Sequence, residues 1–153
     1  KAATFYPQSL AVPKRRNWAD ADVKRGKELF FSIRCNSCHQ AKFITGTHQE
    51  FGFLSQQTIY PYTDLLLHDM GEGLADNRPD FEADGREWKT PALWGIGLTK
   101  TVGNHSHFLH DGRARNLEEA IMWHGGEAEA SKEAFSKLNK KDRQAVIKFL
   151  ESL

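Results

Sequence analysis

The sequence predicts an all-α domain with long loops, and three observations carry that expectation. Apolar residues recur at a helical period in well-capped stretches, one beginning near residue 23 and one at the C-terminal end. No segment longer than four residues alternates with the period of a strand, and no internal repeat is visible. Between the helical stretches lie segments rich in Gly, Asp, Asn and Gln, which favour turns.

Residues 1–19 read as an extended arm, because Pro7, Pro13 and the Lys14-Arg15-Arg16 run show neither period. A single domain is expected over 20–153. Asp22 is the expected cap of its first helix, where Val23, Gly26, Lys27, Phe30 and Ile33 follow a helical period as far as Arg34. Residues 40–60 are polar and mixed, with Gly46 and Gly52, and predict loop. Tyr62–Asp69 predicts a short helix ended by Gly71 and Gly73, and 71–89 a second loop. Pro91 suits the first turn of a short helix containing Leu93 and Trp94. Asn116, with Glu119 three residues on, is a capping-box pattern for a helix through His124 that Gly125-Gly126 stops. The last helix is capped by Asn139 and sets Ala145, Val146, Phe149, Leu150 and Leu153 on one face.

Composition narrows the function classes. Among 153 residues, 21 Lys plus Arg against 20 Asp plus Glu leave a net charge of +1, which argues against nucleic acid and acidic membranes as partners. No apolar run approaches the roughly 20 residues of a membrane span. An apolar share of 39% is a little low for a globular domain, so something other than side chains is expected to complete the core. The chain begins at Lys1 without a signal-peptide pattern, as expected of a processed product or of a piece of something longer.

The two cysteines, Cys35 and Cys38, exclude a disulfide scaffold and a four-cysteine metal site. Cys35-Asn36-Ser37-Cys38-His39 matches the attachment signal of a c-type haem. Two thiols add across the two vinyl groups, two intervening residues set their separation, and the adjacent histidine faces the iron. A redox dithiol wants strand–helix alternation around it, and that is absent. A zinc site needs two more ligands, and His105 and His110 lie too far along the chain for a finger. One haem c is therefore expected, covalent through Cys35 and Cys38, with His39 on its iron. Such attachment implies assembly outside the cytoplasm, in a periplasmic or exported bacterial protein. Gly26, costing about 1 kcal/mol against alanine in a helix, fits where another helix approaches, with Phe149 as its partner. This arrangement resembles the cytochrome c fold, in which first and last helices cross and the loops wrap the haem.

A second resemblance rests on ordered motifs over roughly 20–153: Lys89-Thr90-Pro91-Ala92-Leu93, Phe108-Leu109-His110-Asp111-Gly112 and Leu117-Glu118-Glu119-Ala120-Ile121. These resemble the C-terminal haem domain of bacterial di-haem cytochrome c peroxidases. Asp64-Leu65-Leu66-Leu67-His68-Asp69-Met70-Gly71 and Trp123-His124-Gly125-Gly126-Glu127-Ala128 are closer still to di-haem oxidoreductases described as peroxidases or thiol oxidoreductases. In the peroxidase relatives the distal ligand stands fourteen positions after the histidine of His-Asp-Gly, which here is His124. The resemblance thus implies a bis-histidine iron, His39 with His124. Met70, 31 positions after His39, is the competing ligand, and a vacant or water-bound face is the third possibility. Met122 stands about 200° round a helix from His124 and would face away from it.

Other residues carry two readings each. Arg113 pairs with a haem propionate or belongs to a structural turn. Trp94 and Trp123 pack on the macrocycle or line an electron path, or simply fill the core. His105 and His107 could hold a metal or face solvent. Asp64, Asp69, Asp76, Asp80 and Asp84 lack the regular spacing of a calcium loop and read as a solvated acidic segment. Two functions follow. One is an electron-transfer module, its partner being a second haem domain of the parent protein or a redox protein. The other is a catalytic, peroxidase-like haem with a displaceable distal position, assisted by His68 or His110.

Overall fold

The computed structural model describes residues 2–153. Helix accounts for 43% and strand for 9%, so the domain is mostly helical, and the strands correct the all-α expectation. The arm is corrected as well. Helix α1 (Ala2–Ser9) occupies part of it, and Pro7 sits in its last turn. Phe5 packs on Phe51 with ring centroids 4.5 Å apart, a tertiary contact that outweighs the weak local signal. Beyond α1 the chain runs without helix or strand to the C-terminal helix, where the Arg16 amide donates to the Ser152 carbonyl at 2.8 Å.

Helix α2 (Ala21–Ser32) is capped by Asp20, two residues earlier than Asp22. The Asp20 Oδ1 accepts the amides of Asp22 and Val23, the reach a cap side chain has, while Asp22 lies inside the first turn. Two ribbons interrupt the loops. Strand β1 (Phe43–Ile44) pairs antiparallel with β2 (Thr58–Ile59), and β3 (Leu67–Asp69) with β4 (Glu87–Lys89) in the register Leu67↔Lys89, His68↔Trp88, Asp69↔Glu87. The helix expected over Tyr62–Asp69 is therefore extended chain. Thr63 explains why: its hydroxyl donates to the Thr90 carbonyl at 2.6 Å and accepts the Leu65 amide at 2.9 Å. Those bonds replace helical ones, and Leu65, Leu66 and Leu67 are left exposed.

The helix expected from Pro91 starts later, as α3 (Thr99–Gly103), with Leu93 and Trp94 ahead of it. Gly95, at φ 81°, turns the chain there and donates its amide to the Leu153 carbonyl at 2.8 Å. Helix α4 (Leu117–Met122) has the expected Asn116 cap on the Glu119 amide. The Glu119 carboxylate reaches back to the Arg115 amide instead of closing the box on Asn116. Helix α5 (Glu129–Ser136), which the periodicity did not suggest, buries Phe135 completely.

Helix α6 (Lys140–Ser152), capped by Asn139, crosses α2 as expected. The fit is closest at Gly26, where a Cβ would lie 1.9 Å from the Ala145 carbonyl oxygen and 2.9 Å from the Phe149 Cβ. Phe149 and Val146 are fully buried, and Phe30 and Tyr62 meet Phe149 at ring separations of 5.2 and 5.7 Å. This crossing is the centre of the core. It fixes the end of α2, from which the candidate site grows.

Candidate functional site

Helix α2 stops at Ser32, and Arg34 adopts a left-handed conformation at φ 65° that redirects the chain into a 3-10 turn over Cys35–Ser37. The turn closes with the His39 amide donating to the Cys35 carbonyl at 3.0 Å. Cys35, Cys38 and His39 are thereby held in one turn at a fixed helix end. Both cysteines are free thiols. Burial pushes the Cys35 thiol up to about 12, so it stays protonated.

The His39 Nδ1 lies 2.9 Å from the Tyr62 carbonyl oxygen. A carbonyl only accepts, so Nδ1 carries the proton and Nε2 keeps its lone pair. Burial pushes this imidazole down to about 4, with the Tyr62 carbonyl opposing more weakly, so His39 is neutral near pH 7. Tyr62 is held in turn, because the next residue, Thr63, donates its amide to Gln40 and its hydroxyl to Thr90.

His124 repeats the arrangement at the end of α4. Its Nδ1 donates to the Ala120 carbonyl at 2.8 Å, and burial lowers its pKa against that bond. A proton on His124 would work in the same direction as burial and lower His39 further. The hydrogen bond of each ring is made through Nδ1, not Nε2. Two neutral imidazoles with free Nε2 lone pairs are suited to bind a metal.

Met70 is half-buried, and its carbonyl would stand 2.8 Å from a Cβ on Gly125, beside the loop that follows His124. Met122 is 45% exposed. Trp94 lines a cavity of about 570 Å³ together with Tyr60, Tyr62, Arg15 and Lys27. Trp123 lies 4.9 Å under the Arg113 guanidinium, which also donates to Asp111 at 2.6 Å and to the Gly73 carbonyl. Arg113 thus pins its own turn to the 72–74 segment. His110 stacks on Trp88 at 3.5 Å, and exposed His105 and His107 lie 5.9 Å apart. Asp76 and Asp84 accept backbone amides of their own turns, while Asp80 stands in a bridge with Ala83.

One cluster joins residues that the sequence carries in two separate motifs. His68 sits between two carboxylates, with Nε2 2.8 Å from Asp64 Oδ2 and Nδ1 2.9 Å from Glu127 Oε2. Both contacts need a ring proton, so the pair holds an imidazolium. Glu127 foremost, against burial, and then Asp64 hold His68 above the ordinary imidazole range. Burial works to raise Asp64, but the Leu66 amide and His68 together keep it below the usual carboxylate range. The ligand atoms of Cys38, Asp64 and His68 lie within 4.8 Å of one another. Asp64 and His68 stand in one motif of the sequence and Glu127 in another, and nothing marked Glu127, 59 residues beyond His68, as a partner of His68.

No helix among the described residues is long and apolar enough to cross a membrane. No curated protein and no solved structure matches the chain. The family model described as "di-haem oxidoreductase, putative peroxidase" matches residues 1–153, and the chain belongs to that family.

Proposed function

We propose that residues 20–153 form an electron-relay domain of cytochrome c type. In this reading one haem c is joined through Cys35 and Cys38, with His39 and His124 as its axial ligands. The observation that carries it is the matched state of the two histidines, each tied through Nδ1 to a backbone carbonyl and left with a free Nε2. A second tie of that kind fixes ring orientation and tautomer, as metal-bound histidines require. The donor set fits the group, since two protonated thiols and a neutral imidazole share one turn at the end of α2. When bound, the haem supplies a one-electron carrier.

The chain's own residues favour relay over catalysis. Were His39 and His124 both to hold the iron, peroxide would find no open position, and bis-histidine ligation would set a lower potential than histidine–methionine. Membership of a di-haem family supports a second haem domain as the electron partner. Covalent haem places maturation, and so the protein, in the periplasm or beyond.

The test is the visible spectrum of the loaded protein. The oxidised form is expected to be low-spin and unmoved by cyanide or peroxide, with a pyridine haemochrome showing one thioether-linked haem. His124→Ala should admit exogenous imidazole, whereas Met70→Ala should leave the spectrum alone. A high-spin spectrum that shifts on adding cyanide supports the catalytic reading instead. Loss of the low-spin spectrum in Met70→Ala alone reassigns the ligand.

A further inference from the structure

The loop that follows His124 lies flush against the end of β3. A Cβ on Gly126 would sit 2.2 Å from the Asp69 carbonyl oxygen, and one on Gly125 2.8 Å from that of Met70. Glycine permits this approach but supplies no apolar side chain to hold it. Glu127 supplies the tie. One carboxylate oxygen accepts the Asp69 amide at 3.0 Å and the other binds His68 Nδ1.

The other ring nitrogen of His68 leads the opposite way. It binds Asp64, whose side chain is only 4% exposed and which stands two residues after Tyr62. The carbonyl of Tyr62 is the one that orients His39. A continuous path therefore runs from the carbonyl behind His39, through Asp64, His68 and Glu127, to the loop beginning at His124. The His68 ring joins the two carboxylates of this path.

We propose that His68 is a positioning residue: its bridge between Asp64 and Glu127 holds the His124 loop at a fixed setting against the segment that orients His39. The proposal rests on the reading of His124 as an axial ligand. A loop held closed keeps an added ligand from the metal, because the apparent affinity falls with the fraction of open molecules.

The experiment uses the haem-loaded chain and two variants. His68→Leu removes the bridge but leaves Asp64 buried without its cation. Glu127→Ala removes the same tie from a side chain that is 56% exposed, so folding is preserved. Both variants are expected to bind cyanide at concentrations that leave the parent spectrum unmoved, an apparent affinity raised at least about tenfold. Amide exchange at 125–128 is expected to accelerate about tenfold, with 35–39 and α2 unchanged. Exchange at 125–128 that matches the parent in Glu127→Ala overturns the proposal, as does acceleration spread evenly over the chain. Unchanged cyanide affinity also overturns it where His124→Ala does admit cyanide. If His124→Ala leaves the spectrum intact while exchange at 125–128 accelerates, the axial reading fails and the tie between His68 and the loop stands.

Discussion

At the crossing of α2 and α6 the joined surfaces are apolar and close: Val146 and Phe149 have no exposure, and a helix backbone rests on Gly26. Between the segment 62–71 and the loop 124–127, the backbones also touch through glycine, but the joining side chains are His68 and Glu127, with Asp64 behind His68 and Thr63 tying the same segment to Thr90. The first contact gains from removing apolar area from water and tolerates little change of shape. The second gains only from satisfying polar groups that folding has already taken from water, so its loss is felt as unpaired donors and acceptors. The crossing should therefore govern whether the chain folds, and the polar seam how its loops are set.

The largest effect should come from filling the crossing. Gly26→Ala places a methyl 1.9 Å from the Ala145 carbonyl oxygen, a backbone atom that cannot rotate away. The helices must separate, exposing area around Phe149. The expected loss is about 3 kcal/mol, the upper end for overpacking, measured as a lowered denaturant midpoint with an unchanged slope. A loss near zero would mean that the helices slide freely, and the contrast with the polar seam would disappear.

Thr63→Val cuts the polar tie that holds the 62–71 side of the seam to Thr90, with almost no change of volume. The Thr63 side chain is buried, donates to the Thr90 carbonyl and accepts the Leu65 amide, so valine strands two backbone groups. About 1–3 kcal/mol is expected, less than for Gly26→Ala. Equal losses from the two variants would show that one cooperative unit responds to either cut.

The sequence made the crossing legible because helical period, capping side chains and a costly glycine all act within a few residues of one another. Val23, Gly26, Phe30 and Phe149 met as their spacing suggests, and Asn116 and Asn139 cap their helices. The end of α2 just ahead of Cys35 was legible for the same reason. The seam was not. Asp64-Leu65-Leu66-Leu67-His68 has the apolar content of a helix, but Thr63 and the pairing of 67–69 with 87–89 draw it out straight. Its stabilising partners lie about 20 to 60 residues away, and no local pattern registers a bond of that range. The same limit hid Glu127. Family resemblance pointed to His124, but its state, with Nδ1 tied to Ala120, required coordinates.

The smallest expected effect is the dependence of the His68 bridge on pH, and its shape separates the two regions most sharply. His68 is raised above its ordinary 6.5, so its contribution is complete below pH 6.5 and is lost as pH climbs through the raised folded value. Asp64 and Glu127 lie below their ordinary 3.8 and 4.5, so their contribution is complete above those values and is lost as pH falls through the lowered folded ones. The stability difference between the parent and His68→Leu should therefore be greatest between pH 4.5 and 6.5 and shrink on both sides. Because Glu127 is largely in water, salt should flatten the curve further. The difference between the parent and Gly26→Ala involves no titrating group and should stay level over the same range. A level curve for His68→Leu too would mean that the bridge carries no charge, and that only shape distinguishes the seam from the crossing.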